Sequence, residues 1–426
     1  MALAVPKIPR MKIGILGAGI AGLASAHFLR DNFPDLQLHE ATLEVGGLAR
    51  SFKWHGFDCD IAPHRLYTQD AELLAELLAL VPMARVRRRS SIYLQGKWIR
   101  DPVNAVEMVF KFFPGKSARI VWHYLFRRDH GDASFESLVL TRFGAGLNEM
   151  FFKPYSEKLF GIPANEISAE WGRRKIRVAG LRDMVRRESK LYFKEFYYPR
   201  VGGYGAITQR LYEEVKDSVR LDSRLIAIRR DEATNRYVCR FRDAAGEERV
   251  EEYDALVSSL PLNTFSRLFG LELNLRFRPA RITYLLIDRA RVTDNHWFYF
   301  ADRDFILNRV AEFKNFVGAD ALPVGRTVLC CEVTDVARYS PERVISELSE
   351  TGIIKPRDVL DTKVIELAHA YPIYDRGYED EMRRASDFFA AHPNIQHVGR
   401  HAQFAHKDID EIFDEAKRLA LRITSS

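Results

Sequence analysis

Cysteine is scarce. Four thiols, Cys59, Cys239, Cys330 and Cys331, stand in 426 residues. None forms a C-x-x-C pair or a cysteine–histidine spacing that would hold a metal, which leaves buried, reduced thiols in a cytoplasmic protein as the expectation. The adjacent pair falls in TVLCCEV, where strand alternation sends the two side chains to opposite faces and excludes a disulfide between them. No apolar run reaches the length of a transmembrane helix, and the stretch Met1 to Arg10, with Pro6 and Pro9, lacks the apolar region of a signal peptide. Repeats and low-complexity tracts are missing too, and 47% hydrophobic composition supports two packed domains or one large one. Neither sign of charge dominates: the formal net charge is +6. The arginine clusters at 85–89, 173–177 and 186–187 suit an anionic ligand, or are solvated helix faces.

What is present begins with KIGILGAGIAGLASAHFLRDNFPDLQLHEATLEVGGLARS, Lys12 to Ser51. Ile13, Ile15 and Leu16 form a short apolar run suited to a buried parallel strand. Gly17, Gly19 and Gly22 follow as G-x-G-x-x-G, one for the tight turn, one for close approach of a pyrophosphate and one for packing helix on strand. A helix from Ile20 to about Arg30 points its N-terminus at the phosphates. A second strand closes at Glu40, whose carboxylate can accept hydrogen bonds from both hydroxyls of a ribose. An ordinary glycine turn would not need strand, helix and acid to agree.

Gly46, Gly47, Arg50 and Ser51 continue the pattern as E-x5-GG-x-x-RS. This resembles the extended fingerprint of the FAD-dependent superfamily of amine oxidases, protoporphyrinogen oxidases and UDP-galactopyranose mutases, nearest the mutase-like branch. The resemblance implies non-covalent FAD, with the second glycine pair beside the pyrophosphate and ribityl chain. It also implies an α/β fold: a Rossmann-type FAD-binding domain of the GR2 type from residues 11–75, 201–262 and 390–426, and a discontinuous α+β substrate domain from 76–200 and 263–389. In FKWHGFDCDIAPHRLYTQD, His64 takes the place of the family histidine beside the isoalloxazine, with Ala62 and Pro63 where small residues or glycine are usual. Otherwise it is a loop histidine. Leu225 is implied as a backbone contact to the adenine. Gly399, Arg400, Asp408 and Asp410, around the start of the last helix, are implied to hold the flavin diphosphate and ribityl chain.

Between these parts the pattern predicts a helix over 71–80 and a hairpin from Arg87 to Pro102 turning at Gln95 and Gly96. Helices follow from Asn104 to Arg128 and, capped by Asp132, from Phe135 to Phe160. Phe110 to Arg128 mixes aromatics with cations, the pattern of peripheral membrane contact or of a substrate-domain helix; no nucleic acid is expected. Three strand signals follow Val219, the last being VEEYDALVSS, which ends at Pro261. KPYSEKLFGIPANEISAEW resembles the mutase pattern Y-x-x-K-x-W-G-x-P followed by tryptophan. Tyr155, Lys158, Gly161, Pro163 and Trp171 match, while Phe160 replaces the stacking tryptophan and Phe196 replaces an active-site tyrosine.

Tyr155, Phe160, Arg174, Arg309 and Tyr371 are thereby implied to bind substrate. Arg309 stands on an apolar strand and must find either an anion or an ion pair with Glu312 or Glu332. Tyr371 lies near a sugar or is a core tyrosine. No Ser-His-Asp set or carboxylate pair stands out and no metal is implied, so catalysis falls to the cofactor with His64 and Arg309 assisting. Two chemistries fit. One is an oxidoreductase passing hydride to flavin N5 from a small substrate, phosphorylated or sugar-containing at need. The other is a mutase-like nucleotide-sugar pyranose/furanose isomerase using reduced FAD as nucleophile.

Overall fold

The computed structural model describes residues 11–101, 105–112, 115–175, 193–317 and 323–425. Its centre is a five-stranded parallel sheet in the order Ile395–His397, Ala255–Ser258, Ile13–Leu16, Gln37–His39, Val219–Arg220. Ile13–Leu16 is buried along its whole length, as an unbroken apolar run in a central parallel strand should be. Helix Ile20–Leu29 packs between helix Gly205–Val215 and the last helix, Ile409–Ser425, so it is apolar nearly all round.

The stretch expected as one strand before Pro261 is two. Glu248–Tyr253 completes an antiparallel sheet with Arg224–Asp231 and Arg236–Arg242, and Ala255–Ser258 then enters the parallel sheet. Asp254 makes the joint, because its carboxylate accepts from Lys12 N at 2.7 Å and from Arg236 Nε at 3.1 Å.

A second sheet of seven strands runs Val359–Pro372, Phe277–Ile287, Thr327–Val333, Leu307–Glu312, Trp297–Phe300, Ser90–Leu94, Lys97–Arg100. All neighbours are antiparallel except Trp297–Phe300 beside Ser90–Leu94. Gln95 and Gly96 turn the terminal hairpin at φ 49° and 77°, the left-handed pair that a two-residue turn requires. The hairpin begins at Ser90 rather than Arg87, because Met83–Arg87 pairs separately with Glu195–Pro199. Cys330 and Cys331 enter cores on opposite faces of the sheet, and all four cysteines are free and buried.

Helices Ala105–Phe112, Gly115–Leu125, Phe135–Leu147, Lys153–Phe160 and Ala169–Lys175 follow the hairpin, the first packing on strand Lys97–Arg100 and the fourth on Leu307–Glu312. The cap of the third is Ser134, not Asp132. Ser134 Oγ accepts from Ser137 N while Ser137 Oγ accepts from Ser134 N, a reciprocal pair that satisfies two orphan donors. Asp132 pairs instead with Arg173. Gly144 and Gly146 let this helix meet Gly115–Leu125 backbone to backbone: added Cβ atoms would lie 2.3 Å from His123 O and 2.8 Å from Ile120 Cα. Among the described residues no helix is long and apolar enough to cross a membrane.

Candidate active site

Between the parallel sheet and the seven-stranded sheet runs a cavity of about 690 Å³. One end is built from glycines. Gly17 turns at φ 93° with Ser259 Oγ bound to its carbonyl at 3.1 Å, and a Cβ on Gly22 would fall 1.9 Å from the same oxygen. Gly46 N donates to Ala18 O at 2.7 Å and Gly47, also left-handed, approaches Gly19, so the two glycine loops meet as one cradle. The N-cap of helix Ile20–Leu29 is Gly19, which has no side chain with which to cap it. Its free N–H groups and Gly19 therefore face a position suited to an anion. Glu40 borders this end, its carboxylate oriented by Ala18 N at 2.9 Å and Thr42 N at 3.0 Å.

The chain returns here from its other end. Gly399, at φ 92°, lies so close to Ala21 that a Cβ would approach it to 2.6 Å. Arg400 follows, donating to Lys407 O at 2.9 Å, and Asp408 stands immediately before the last helix. Asp410, in its first turn, has its pKa raised to about 6 by burial and by Asp408 and Glu411. His64 borders the same cavity, its ring stacked 5.3 Å from that of Tyr204. Burial, then Arg400 and Arg309, pull His64 down to about 3, so it is a neutral imidazole at ordinary pH. Its Nδ1, Tyr204 Oη, Arg65 Nε and His401 Nε2 are buried with no partner among the described residues. Glycine cradle, uncapped helix and unsatisfied polar atoms along one wall fit a dinucleotide, whose phosphates and ring atoms would complete them.

The opposite end is aromatic. Phe135, Phe143, Phe151, Phe152, Tyr155, Leu159 and Trp171 come from the helices, and Trp297, Tyr299 and Tyr371 from the sheet. Arg309 sits among them already neutralised. Its Nε and Nη2 donate to one oxygen of Glu332 at 3.0 and 2.7 Å, and Tyr371 Oη donates to the other. Sheet register enforces this, since Arg309 stands opposite Glu332 on the neighbouring strand. Of the other cations at the cavity, Arg88 pairs with Asp101, Lys407 with Glu415, and Arg65 lies 4.5 Å over the Phe193 ring.

The structure thus gathers Gly17, Gly19, Glu40, Gly47, His64, Gly399, Arg400, Asp408, Tyr155, Arg309 and Tyr371 around one cavity, with Gly22 and Gly46 supporting its glycine end. It does not bring Phe160, whose buried ring packs edge-on against Trp171 at 4.9 Å and borders a separate pocket. Nor does it bring Arg50, turned to Glu44 at 3.2 Å, Leu225, set at a bulge in the antiparallel sheet, or Asp410, which lies in the first turn of the last helix and does not line the cavity. The Arg174 side chain lies outside the described residues. Phe196 is core, packed on Trp297 and Phe316. Tyr204 and Asn308 line the cavity without having been expected there. The paired glycines before Tyr204 were its one sequence signal. No metal-binding group of His, Cys, Asp or Glu occurs among the described residues.

Comparison with known proteins places these features. The family described as flavin containing amine oxidoreductase matches residues 20–295. No curated protein matches the chain. Among solved structures, reduced UDP-galactopyranose mutase superposes with a TM-score of 0.83 at 20% identity, over 98% of this chain and 94% of that one. An Exiguobacterium sp. 255-15 protein assigned as a protoporphyrinogen oxidase gives 0.75 at 19%, over 98% and 99%. A conjugated-linoleic-acid-producing fatty acid isomerase from P. acnes gives 0.66 at 14%, over 98% and 99%. At these identities the likeness is one of fold, and the family match identifies the cofactor as a flavin, FAD.

Proposed function

Because the chain belongs to the family of flavin containing amine oxidoreductases, we propose that it oxidises a small, mainly apolar substrate held in the aromatic end of the cavity. Bound FAD supplies a two-electron acceptor that takes hydride at N5. Residues 11–75, 201–262 and 390–426 hold it: the glycine cradle and helix N-terminus meet the diphosphate, Glu40 the ribose, and Arg400 and Asp408 the far side. Residues 76–200 and 263–389 supply the substrate wall. There Tyr155, Tyr299 and Tyr371 position the substrate and the surrounding phenylalanines exclude water, which is what a reaction led by the cofactor asks of side chains. His64, uncharged, can donate or accept one hydrogen bond without adding a charge to the site.

The observation that carries this reading is the Arg309–Glu332–Tyr371 set. The alternative, a nucleotide-sugar isomerase, calls for a cation facing a diphosphate at the substrate end, and Arg309, the cation among the aromatic residues there, has its charge answered inside the protein. The test uses the purified yellow protein. Oxidised enzyme is offered a panel of apolar amines and alcohols, and dithionite-reduced enzyme is offered UDP-galactopyranose. Peroxide release or flavin bleaching with members of the panel is expected. Turnover of the nucleotide sugar by reduced enzyme alone would overturn the assignment.

A further inference from the structure

Helix Gly115–Leu125 has one face fully used. Ser117 and Ile120 are buried, and Gly146 of the underlying helix presses on Ile120 Cα. The other face has no such partner among the described residues. Trp122 is 62% exposed, Leu125 66% and Phe126 62%, with Val121 beside them and Phe110, 79% exposed, on the helix packed alongside. The Trp122 and Phe126 rings pack against each other with centroids 4.1 Å apart, tilted by 40° and four residues apart, so the exposed rings form a strip rather than scattered points. A contiguous apolar strip of this kind marks a surface that meets something other than water.

The charge around it selects the occupant. Between Met108 and Arg128 there are five lysines and arginines, Lys111, Lys116, Arg119, Arg127 and Arg128, and no carboxylate. Glu107 pairs with Lys111 and Glu149 with Arg119. Lys116, Arg127 and Arg128 have no carboxylate partner among the described residues; Lys116 bonds to Gln95 and Arg127 folds over the Tyr124 ring. Aromatic and leucine side chains flanked by unpaired cations suit an interface that is apolar below and anionic at its rim. A second copy of the chain would bring a like-charged rim against this one.

We propose that this face docks the protein onto an anionic lipid bilayer, Trp122, Leu125 and Phe126 entering the headgroup–acyl boundary while Lys116, Arg127 and Arg128 meet the lipid phosphates and carboxylates. The helix beneath it, Phe135–Leu147, contributes Phe135 and Phe143 to the cavity wall, so docking sets the apolar end of the cavity within one helix layer of the membrane.

Full-length FAD-loaded protein is sedimented with vesicles of phosphatidylcholine alone or of phosphatidylcholine with phosphatidylserine. The anionic vesicles are expected to bind at least about tenfold more tightly than neutral ones, and raising salt from about 0.1 to about 1 M to weaken binding as screening shortens. The double variant W122Q/F126Q, altered only at exposed positions, should lose about tenfold or more in affinity while keeping its flavin absorbance and melting temperature. Absence of binding to either vesicle, equal binding to both, or undiminished binding by the double variant would overturn the proposal. So would a dimer in sedimentation velocity that W122Q/F126Q dissociates without any vesicle binding, which would assign the face to a second copy.

Discussion

An arginine within an apolar sheet loses its hydration and must recover the cost from a partner. Arg309 does so from Glu332, whose side chain is 2% exposed against 21% for the arginine. Removing one member leaves the other charged and unanswered. Glu332→Gln or Arg309→Met alone should therefore lower stability by about 3 to 5 kcal/mol. The triple variant R309M/E332L/Y371F, which also removes the hydroxyl that would lose its acceptor, should recover most of that loss. Urea midpoints across the set test this; equal midpoints for single and triple variants would contradict it. From the sequence, strand register could name Glu332 as a partner of Arg309, but not decide between it and a ligand anion. Phe160 shows the converse limit. Its place in a family pattern suggested a substrate contact, whereas the ring fills the space beside Trp171, and packing of that kind depends on neighbours far away in the chain.

Among the elements, the strand–glycine–helix unit was the most legible, because each glycine answers a steric demand made within a few residues. Gly22 is the sharpest case, with its absent Cβ lying where Gly17 O must be. Gly22→Ala must open the turn or displace the helix, and the purified protein is expected to lose most of its absorbance near 450 nm while retaining its far-ultraviolet helix signal. Full flavin content would contradict this. The joint at Asp254 was not legible. No glycine or proline marks it, and the change of sheet is enforced by Lys12 and Arg236, distant residues that grip one carboxylate. The Ser134 cap was missed for a smaller reason. Asp132 is as good a cap by type, but two residues early for the turn that forms.

Across the whole molecule, buried histidines set the response to acid. Burial lowers His39 and His64 to about 3, and His296, His397 and His401 to about 4. Below the ordinary value of 6.5 the unfolded chain binds protons that these five refuse when folded, so stability falls as pH falls, by about 1.4 kcal/mol per group per pH unit. Asp60 and Asp410, raised by burial to about 7 and about 6, act with the opposite sign over the same interval. His369 and His392 are lowered as well and Asp302 and Glu312 raised, so the histidines still outnumber the carboxylates. The urea midpoint of the cofactor-free protein should therefore drop steadily from pH 7 to pH 5; a flat or rising curve would contradict the assignment. At this scale the fold class and the cofactor could be read from short glycine motifs and their order. The reaction could not, because the chemistry belongs to the cofactor and the side chains around the substrate only shape its surroundings.

The parallel sheet interleaves early and late parts of the polypeptide: Ile13 lies beside Ala255, and Leu256 beside Ile395. During synthesis the opening strand therefore stays without its inner neighbour while about 240 residues emerge, a wait of roughly ten to fifty seconds at ordinary ribosome speeds. Its apolar edge needs shelter for that interval, and the nascent chain cannot close the sheet around dinucleotide until the last helix has left the exit tunnel.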